Sequence, residues 1–391
     1  MSLDWNARIS PTVRAVPPSG IRKFFDIAAE MEDVISLGVG EPDFVTPWTI
    51  RESCIYGLEQ GRTAYTANRG LPELRAEIAR HKKEQHGLGY DPKTDILVTV
   101  GVSEALDIAL RAMLAPGDEV LIPEPCYVSY KACAMMAGGV AVPVPARIEN
   151  EFRVTADDLE AHITGRTRVL LIGYPNNPTG AVMRREHLME LARFAEAHDL
   201  LVISDEIYGD LTYGDEPHVS FAALPGMQER TLLLDGFSKA YAMTGWRIGY
   251  ALGAPELIAA MTKIHQYTML CAPITAQLAA VEALRRGAKY RDKMVAEYNL
   301  RRGFIYRGLT KLGLSCFEPK GAFYIFPDIR STGLSDQEFA EKLLMSEHVA
   351  LVPGSAFGDC GQGYVRCSYA TSLEKIDEAL ARIGHFLARH T

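Results

Sequence analysis

Short hydrophobic runs alternate with segments of helical spacing through the middle of the chain. Seven such runs lie at residues 96–100, 119–123, 140–144, 169–172, 201–203, 231–234 and 248–252. Between most of them, apolar residues recur every three or four positions, which is the spacing of an amphipathic helix. Because short buried strands that alternate with helices form parallel sheets, the pattern predicts an α/β fold. We expect a mostly parallel central sheet with helices on both faces.

The pattern changes on either side of this region. Residues before about position 45 are rich in proline, glycine and aromatic side chains, which is typical of an arm with turns. Residues 255–312 have helical spacing almost throughout, and the chain after residue 320 mixes short strands with helices. We therefore predict an arm at residues 1–45 that packs on a small domain, a large domain at residues 46–290 and a small α/β domain at residues 291–391.

Length, charge and cysteine content restrict the class of protein. The 391 residues exceed what one hydrophobic core usually serves, and 48% hydrophobic with 23% charged residues is ordinary for a globular enzyme. A net charge of −8 argues against nucleic-acid binding, which needs a basic face. The seven cysteines are dispersed and never spaced as Cys-x-x-Cys. We expect a cytoplasmic protein with no metal site, no nucleic-acid partner and no membrane association.

The candidate chemistry centres on Lys239, which follows the apolar run at residues 231–234 and an Asp-Gly turn. Such a run predicts a buried strand that delivers the next residues to a loop. Lysine on such a loop suits condensation with an aldehyde, because desolvation lowers the pKa of its amine. Eight residues later, Arg247 offers a permanently charged fork that fits a phosphate. A loop lysine beside an unrelated surface arginine is the alternative interpretation of this segment alone.

Other polar residues follow further predicted strands, at the edge where ligands bind in an open α/β sheet. After the first strand, Gly101 permits a close turn and Ser103 can cap a helix whose free N–H groups face a phosphate. After the fourth, Asn177 is held between prolines and a glycine. After the fifth, Asp205 needs a cationic or donor partner, because an unpaired buried charge is costly. Singly, the first two segments are equally compatible with a capped helix and a plain turn.

Taken in order, these motifs resemble those of the class I/II (fold type I) aminotransferases, which depend on pyridoxal 5′-phosphate (PLP). The resemblance is closer to a branch with a Gly-x-Gly-Glu-Pro-Asp-Phe motif, and it covers nearly the whole chain. The motifs lie at residues 38–44, 101–103, 177–180, 205–208 and 238–247. The resemblance implies the PLP-dependent transferase fold of type I, with a smaller α/β domain built from the C-terminal part and the N-terminal arm.

The resemblance also implies a role for each matching residue. The implied catalytic residues are Lys239, which holds PLP and moves a proton, Asp205, which pairs with the ring nitrogen, and Tyr208, which binds the ring hydroxyl. The implied cofactor-binding set is Tyr65 of the neighbouring subunit in a homodimer, Gly101, Val102, Ser103, Tyr127 stacked on the ring, Asn177, Asp205, Tyr208, Ser238, Lys239 and Arg247. The implied ligands of the substrate are Gly40, Asn177 and Arg366.

Several alternatives accompany these assignments. Tyr127 is equally compatible with a core aromatic at a helix start, and Arg366 with a surface strand arginine. Many relatives have a hydroxyl residue three positions before the lysine to contact the phosphate, whereas this chain has Gly236. Ser238 is a weak candidate to replace that hydroxyl.

The implied activity is transfer of an amino group from an L-amino acid to a 2-oxo acid by a ping-pong mechanism. A PLP-dependent carbon–sulfur β-lyase is the enzymatic alternative, because one fold serves many reactions. An amino-acid-sensing regulator is disfavoured, because the motifs begin by about residue 35 and leave no room for a preceding DNA-binding module. Residues 21–24 and 265–273 are expected to line the far end of the substrate. Their aromatic, thioether and amide groups favour aromatic or large neutral donors, with aspartate and N-acylated diamino acids still open.

Overall fold

A seven-stranded sheet forms the centre of the computed structural model, which describes residues 3–18, 20, 31–214 and 217–390. In chain order the strands are β1 (Ile35–Ser36), β2 (Ile96–Thr99), β3 (Glu119–Glu124), β4 (Val140–Pro145), β5 (Thr167–Gly173), β6 (Leu201–Asp205), β7 (Thr231–Gly236), β8 (Gly249–Leu252), β9 (Tyr324–Ile325), β10 (Val349–Ala350), β11 (Val352–Pro353) and β12 (Val365–Ser368). The central order is β2-β8-β7-β6-β5-β3-β4. Each of the seven predicted runs supplies one of its strands.

The sheet is mostly parallel, as predicted. Strands β3 to β7 run parallel to one another, and only β8 is antiparallel, to β2 on one side and β7 on the other. Parallel strands bring their carboxyl ends to one edge. Residues that follow β5, β6 and β7 are therefore neighbours in space although they are far apart in the chain.

Helices occupy most of the remaining chain. They are α1 (Pro11–Ala15), α2 (Trp48–Glu59), α3 (Pro72–His86), α4 (Gly101–Met113), α5 (Ser129–Met136), α6 (Ala156–Glu160), α7 (Arg185–Ala197), α8 (Pro255–Thr268), α9 (Ile274–Arg286), α10 (Ala288–Lys311), α11 (Asp336–Glu347) and α12 (Leu373–Leu387). No helix of the described residues is both long and apolar enough to cross a membrane.

Both faces of the sheet are covered by helices, because alternate strand residues point to opposite sides. In β5, Val169 and Leu171 join a buried cluster with side chains of α4, α5 and α8. The intervening Leu170 and Ile172 join another cluster with side chains of α7. Burial on both faces explains why the strands appear in the sequence as continuous apolar runs rather than as alternating ones.

Two small sheets lie outside the central one. Strands β11, β12 and β9 form an antiparallel sheet, and β1 pairs in parallel with β10. Ile35 aligns with Val349, so the end of the N-terminal arm is hydrogen-bonded to the C-terminal part of the chain. Residues just before β9 are tied to the stretch after β6, because Ala322 N–H donates to Leu211 O at 2.8 Å.

One local prediction was wrong. The helix expected to begin after Ser103 begins at Gly101, with Val100 as N-cap, so Ser103 lies inside the first turn and does not cap the helix. A short break at Gly287 separates α9 from the long helix α10. A Cβ atom at Gly287 would lie 2.4 Å from Ala283 O and 2.7 Å from the Tyr241 ring, so close packing requires glycine there.

Candidate active site

Lys239 lies on the loop after β7, as predicted from the apolar run before it. Its Nζ donates to Gly40 O at 2.7 Å and lies 5.8 Å from the ring centroids of Tyr208 and Phe323. Lys239 retains some exposed surface. Its amine nevertheless lies deep enough for burial to lower the pKa of Lys239 from 10.5 to about 8, with Arg366 and Arg247 adding to the effect and Glu41 opposing it. A larger fraction of neutral, nucleophilic amine is therefore present near neutral pH.

The lowered pKa of Lys239 predicts a pH dependence of the stability of the apo protein. Between about pH 8 and 10.5 the unfolded chain holds more protons on this lysine, so the free energy of unfolding should rise with pH in that window. Lys239→Met removes this contribution. Below pH 8 the free energy of unfolding of the variant, measured with urea, should exceed that of the wild type by about 3 kcal/mol. The difference should disappear by about pH 10.5. Parallel stability curves would contradict the lowered pKa.

Asp205 ends β6 and is buried on every side. Its carboxylate accepts the Tyr130 hydroxyl at 2.8 Å and the Ile207 N–H at 3.2 Å. Burial raises the pKa of Asp205 to about 6, while these two hydrogen bonds oppose the rise. Both donors are neutral, so the negative charge of the buried carboxylate is not balanced by either of them. A cationic partner would therefore stabilise it.

Arg366 lies on β12 and is 2% exposed, which excludes the alternative of a surface arginine. Its Nη1 donates to Asn177 Oδ1 at 2.9 Å and its Nη2 to Gly38 O at 2.5 Å. The guanidinium carbon lies 4.5 Å from the Tyr324 ring centroid and 4.9 Å from that of Phe357. The Nε–H is buried with no hydrogen-bond partner among the described residues. An orphaned donor on a buried cation suits an anionic ligand.

The turn between β2 and α4 meets Arg247 at the predicted phosphate site. Gly101 has a φ of +78°, and a Cβ atom there would lie 2.8 Å from Arg247 Nη2. The helix N-cap, Val100, makes no side-chain capping bond. The first N–H groups of α4 therefore lack a side-chain acceptor from the cap position, and a cation lies beside them. Val102 is half-buried, while Ser103 and Arg247 are exposed.

The missing hydroxyl at position 236 has a packing reason. Gly236 pairs with Gly249, and a Cβ atom at 236 would lie 3.0 Å from Gly249 Cα. A Cβ atom at Gly249 would in turn lie 2.8 Å from Val102 N. A larger residue at 236 would therefore require the backbone at Gly249 to shift by a few tenths of an ångström. Ser238 is buried, and its backbone carbonyl accepts from Met243 N.

Not every predicted residue is buried in the site of a single chain. Tyr65 is 83% exposed. Tyr127 is half-buried and meets Tyr130 edge-on, with ring centroids 5.8 Å apart. Of the segments expected to line the substrate, residues 21–24 lie outside the described residues. In the other segment, His265 is wholly buried and bonded to Glu104 at 2.6 Å, so its ring faces the interior.

Tyr130 and Tyr324 are site residues that were not predicted from the sequence. Tyr130 donates to Asp205, and its hydroxyl lies 2.3 Å from the position of a Cβ atom at Gly173, so only glycine fits there. Its position three residues after Tyr127 at a helix start was a usable signal. Tyr324 gave no comparable signal, because its neighbours depend on the pairing of β9 with β12.

The chain matches a known protein family over most of its length. Residues 32–383 match the family model of aminotransferase class I and II. The chain is 55% identical over 383 residues to a putative aminotransferase of Bacillus subtilis, covering 98% of this chain and 99% of that protein. It is 49% identical to an aspartate aminotransferase of Pyrococcus abyssi, with 97% and 98% covered. The crystal structure of an aromatic aminotransferase from Pyrococcus horikoshii matches with a TM-score of 0.90 at 46% identity, covering 94% of this chain and 99% of that one. The chain therefore belongs to the class I and II aminotransferase family.

Proposed function

We propose that this protein moves an amino group from an aromatic or large neutral L-amino acid to a 2-oxo acid in two half-reactions. Transaminase activity and dependence on PLP follow from membership of the family. The donor class, the ping-pong order and the roles of individual residues are our proposal. The observation that carries it is the buried Lys239 amine beside Arg366, whose Nε–H is an orphaned donor.

The described residues suit PLP on three independent points. Asp205 is a buried carboxylate whose hydrogen bonds come from neutral groups, which fits a protonated ring nitrogen. Lys239 is a buried amine with a lowered pKa, which fits covalent attachment to an aldehyde. The uncapped start of α4 and Arg247 fit a phosphate. Asn177 and Tyr208 would bind the ring hydroxyl, and Tyr127 would stack on the ring.

When bound, PLP supplies an electron sink that stabilises negative charge at the substrate Cα. In our proposal the neutral amine of Lys239 moves a proton between Cα of the substrate and the cofactor. Asp205 holds the proton on the ring nitrogen. Arg366 and Gly40 hold the α-carboxylate and so orient the Cα–H bond. Burial of these groups excludes water and strengthens each charge interaction.

Asp205→Asn tests the proposed partner of the ring nitrogen. The substitution keeps the shape of the side chain but removes the negative charge, so amino transfer should slow by roughly a hundredfold or more. The PLP content of the purified protein should fall much less, because Lys239 and the phosphate site remain. Stopped-flow rates and bound-cofactor absorbance measure the two effects. Near wild-type turnover in Asp205→Asn would mean that the carboxylate is structural.

The donor class is proposed from the aromatic surroundings of Arg366. Tyr324 and Phe357 flank its guanidinium. Tyr127 and Tyr208 are close enough to interact electrostatically with Arg366. Relatives at similar identity are named for aspartate and for aromatic amino acids, so the family alone does not choose between them. A screen of amino donors with 2-oxoglutarate tests the proposal. A preference for aspartate over phenylalanine and tyrosine would overturn it.

A half-reaction distinguishes transfer from β-elimination on the same fold. With the donor alone, a ping-pong transaminase leaves the cofactor in its amine form and stops after one turnover per site. A carbon–sulfur lyase would continue and release ammonia and pyruvate. We expect the first result, because the relatives reported above are named as aminotransferases.

We also propose that the active unit is a homodimer. Helix α2 and the turn at Thr66 both contact α9, since Ser53 donates to Leu278 O and Thr66 accepts from Gln277. Large exposed apolar side chains lie on and around these elements. The exposed side chains are Val45, Trp48, Ile55, Tyr56, Leu58, Tyr65, Tyr267, Met269 and Leu270. A patch of this kind is typical of an interface, and two-fold pairing is the commonest oligomeric form.

Hybrid dimers test whether Tyr65 reaches the site of the neighbouring subunit. We expect Tyr65→Phe subunits mixed with Lys239→Ala subunits to form dimers in which one site has both native residues. Such dimers should recover about half of the wild-type turnover, because one of two equivalent sites is intact. Sedimentation and activity of the mixture provide the measurement. An active monomer, or no recovery on mixing, would contradict the shared site.

Three further assignments stay within this proposal. We propose the division at residues 1–45, 46–290 and 291–391, supported by the separate small sheet of β9, β11 and β12. The pairing of β1 with β10 supports packing of the arm on the C-terminal part. A cytoplasmic location is supported by the free state of the seven cysteines, each of which lies in the described part of the chain.

A further inference from the structure

Tyr324 is a fully buried residue whose hydroxyl and ring meet two different residues of the site. Its hydroxyl oxygen lies 2.7 Å from that of Tyr208. Its ring centroid lies 4.5 Å from the guanidinium carbon of Arg366. A Cβ atom at Gly40 would lie 2.8 Å from the Tyr324 hydroxyl, so the arm also packs against it. One side chain therefore connects the proposed partner of the cofactor ring with the proposed partner of the substrate carboxylate.

Tyr324 belongs to the three-stranded sheet, and the residues just before it are tied to the loop after β6. In the pairing of β9 with β12, Tyr324 is opposite Ser368, so Arg366, two residues earlier, is its diagonal neighbour on the same face. On the other side, the residues before β9 are tied by backbone hydrogen bonds to the stretch that follows Tyr208. Both contacts of Tyr324 are therefore held by regular backbone pairing, and neither depends on a mobile surface side chain.

Either hydroxyl can be the donor in the contact between Tyr324 and Tyr208. Each tyrosine has a single hydroxyl proton to donate. When Tyr324 donates to the Tyr208 oxygen, the Tyr208 proton remains free for the cofactor ring oxygen. Among the described residues, the charged or titratable groups that face this pair are Arg366 from β12, Lys239 from the loop after β7, Glu41 from the arm, Tyr127 just before α5, Tyr298 from α10 and Tyr369 just after β12.

We propose that Tyr324 is a positioning residue with two separable parts, a hydroxyl that directs the Tyr208 proton and a ring that supports Arg366. This inference rests on the proposed roles of Tyr208 and Arg366. The hydroxyl acts on the cofactor side, because donation to an oxygen anion favours the deprotonated chromophore. The ring acts on the substrate side, because it holds the guanidinium face in one orientation. The alternative is that Tyr324 only fills the core.

Two variants of the holoenzyme separate these parts. Tyr324→Phe keeps the ring, so the pKa read from the visible absorbance of the bound cofactor should rise by roughly half to one unit, while KM stays close to wild type. Tyr324→Leu removes the ring as well, so it should show the same absorbance shift and a KM raised roughly 3- to 30-fold for amino donors. The kcat/KM split and the spectroscopic titration therefore report on different atoms of one residue.

Tyr369→Phe is the matched control. Tyr369 is equally buried and follows β12, but its hydroxyl donates to Ala322 O at 3.2 Å and meets neither Tyr208 nor Arg366 by a hydrogen bond. It should leave the absorbance pKa unchanged. If Tyr324→Phe gives the same pKa as Tyr369→Phe, the hydroxyl has no directing role and the inference is overturned. If Tyr324→Leu leaves KM unchanged, the supporting role of the ring is overturned.

The same experiment distinguishes failure of this inference from failure of the proposed function. A wild-type protein that binds PLP and transfers amino groups, with Tyr324 variants that behave like the control, refutes only the role of Tyr324. A wild-type protein without a cofactor band would instead refute the proposed attachment at Lys239. Urea unfolding of the apo variants shows whether a folding defect underlies a change, with Tyr369→Phe as the reference for the loss of one buried tyrosine hydroxyl.

Discussion

Replacing Lys239 by alanine should abolish amino transfer while leaving a folded protein. We expect a fall of at least about 10⁴-fold, the upper end of what one general acid–base group contributes, because covalent attachment is lost as well. Borohydride reduction and peptide mapping of the wild type should place the cofactor on Lys239. The Lys239→Ala protein should take up no label at that peptide.

Lys82 is an internal control for the labelling. Lys82 is deeply buried, with 3% of its surface exposed. Burial by itself would lower the pKa of Lys82, yet Asp235 at 2.6 Å and Glu206 raise it overall. Lys82 should therefore stay protonated and unlabelled, whereas Lys239 reacts. Label on Lys82, or on any lysine other than Lys239, would contradict the assignment.

Replacing Arg366 by alanine should leave a yellow, folded protein that is nearly inactive toward every amino donor. Breaking a buried pair between a carboxylate and a guanidinium costs on the order of 3 to 5 kcal/mol. That corresponds to a fall in kcat/KM of roughly two to three and a half orders of magnitude. Lysine should not restore the activity, because it cannot copy the planar fork. Steady-state kinetics and the absorbance of the bound cofactor provide the two measurements.

Arg301 is the matched control for Arg366. It is also buried, at 6% exposure, and donates to Asp43 at 2.8 and 2.9 Å. Its loss should lower the free energy of unfolding without a comparable fall in kcat/KM, since no predicted site residue contacts it by a hydrogen bond. A loss below about tenfold in Arg366→Ala would place Arg366 outside the substrate site.

Much of the sheet and of the site followed from local sequence. Continuous apolar runs predicted the seven central strands, because a strand buried on both faces needs no polar alternation. Residues directly after those runs, such as Asp205 and Lys239, were predicted to meet because parallel strands end at one edge. The family was also predicted from the order of these motifs, and comparison with known proteins confirmed it.

Other features required the tertiary structure. The antiparallel direction of β8 is not encoded in its composition, since parallel and antiparallel buried strands contain the same residue types. The start of α4 at Gly101 follows from packing against Gly249 rather than from a capping side chain.

The partners within the site show the same division. The sequence by itself determined which residue types follow each strand, and hence the candidates Asp205 and Lys239, while Arg366 became a candidate through the resemblance to the family. Only the tertiary structure decided what those side chains touch. Tyr130 reaches Asp205 across 75 residues of chain, and Tyr324 reaches Tyr208 across 116. Contacts over such separations arise from strand pairing and helix packing, which hydrophobic periodicity does not specify.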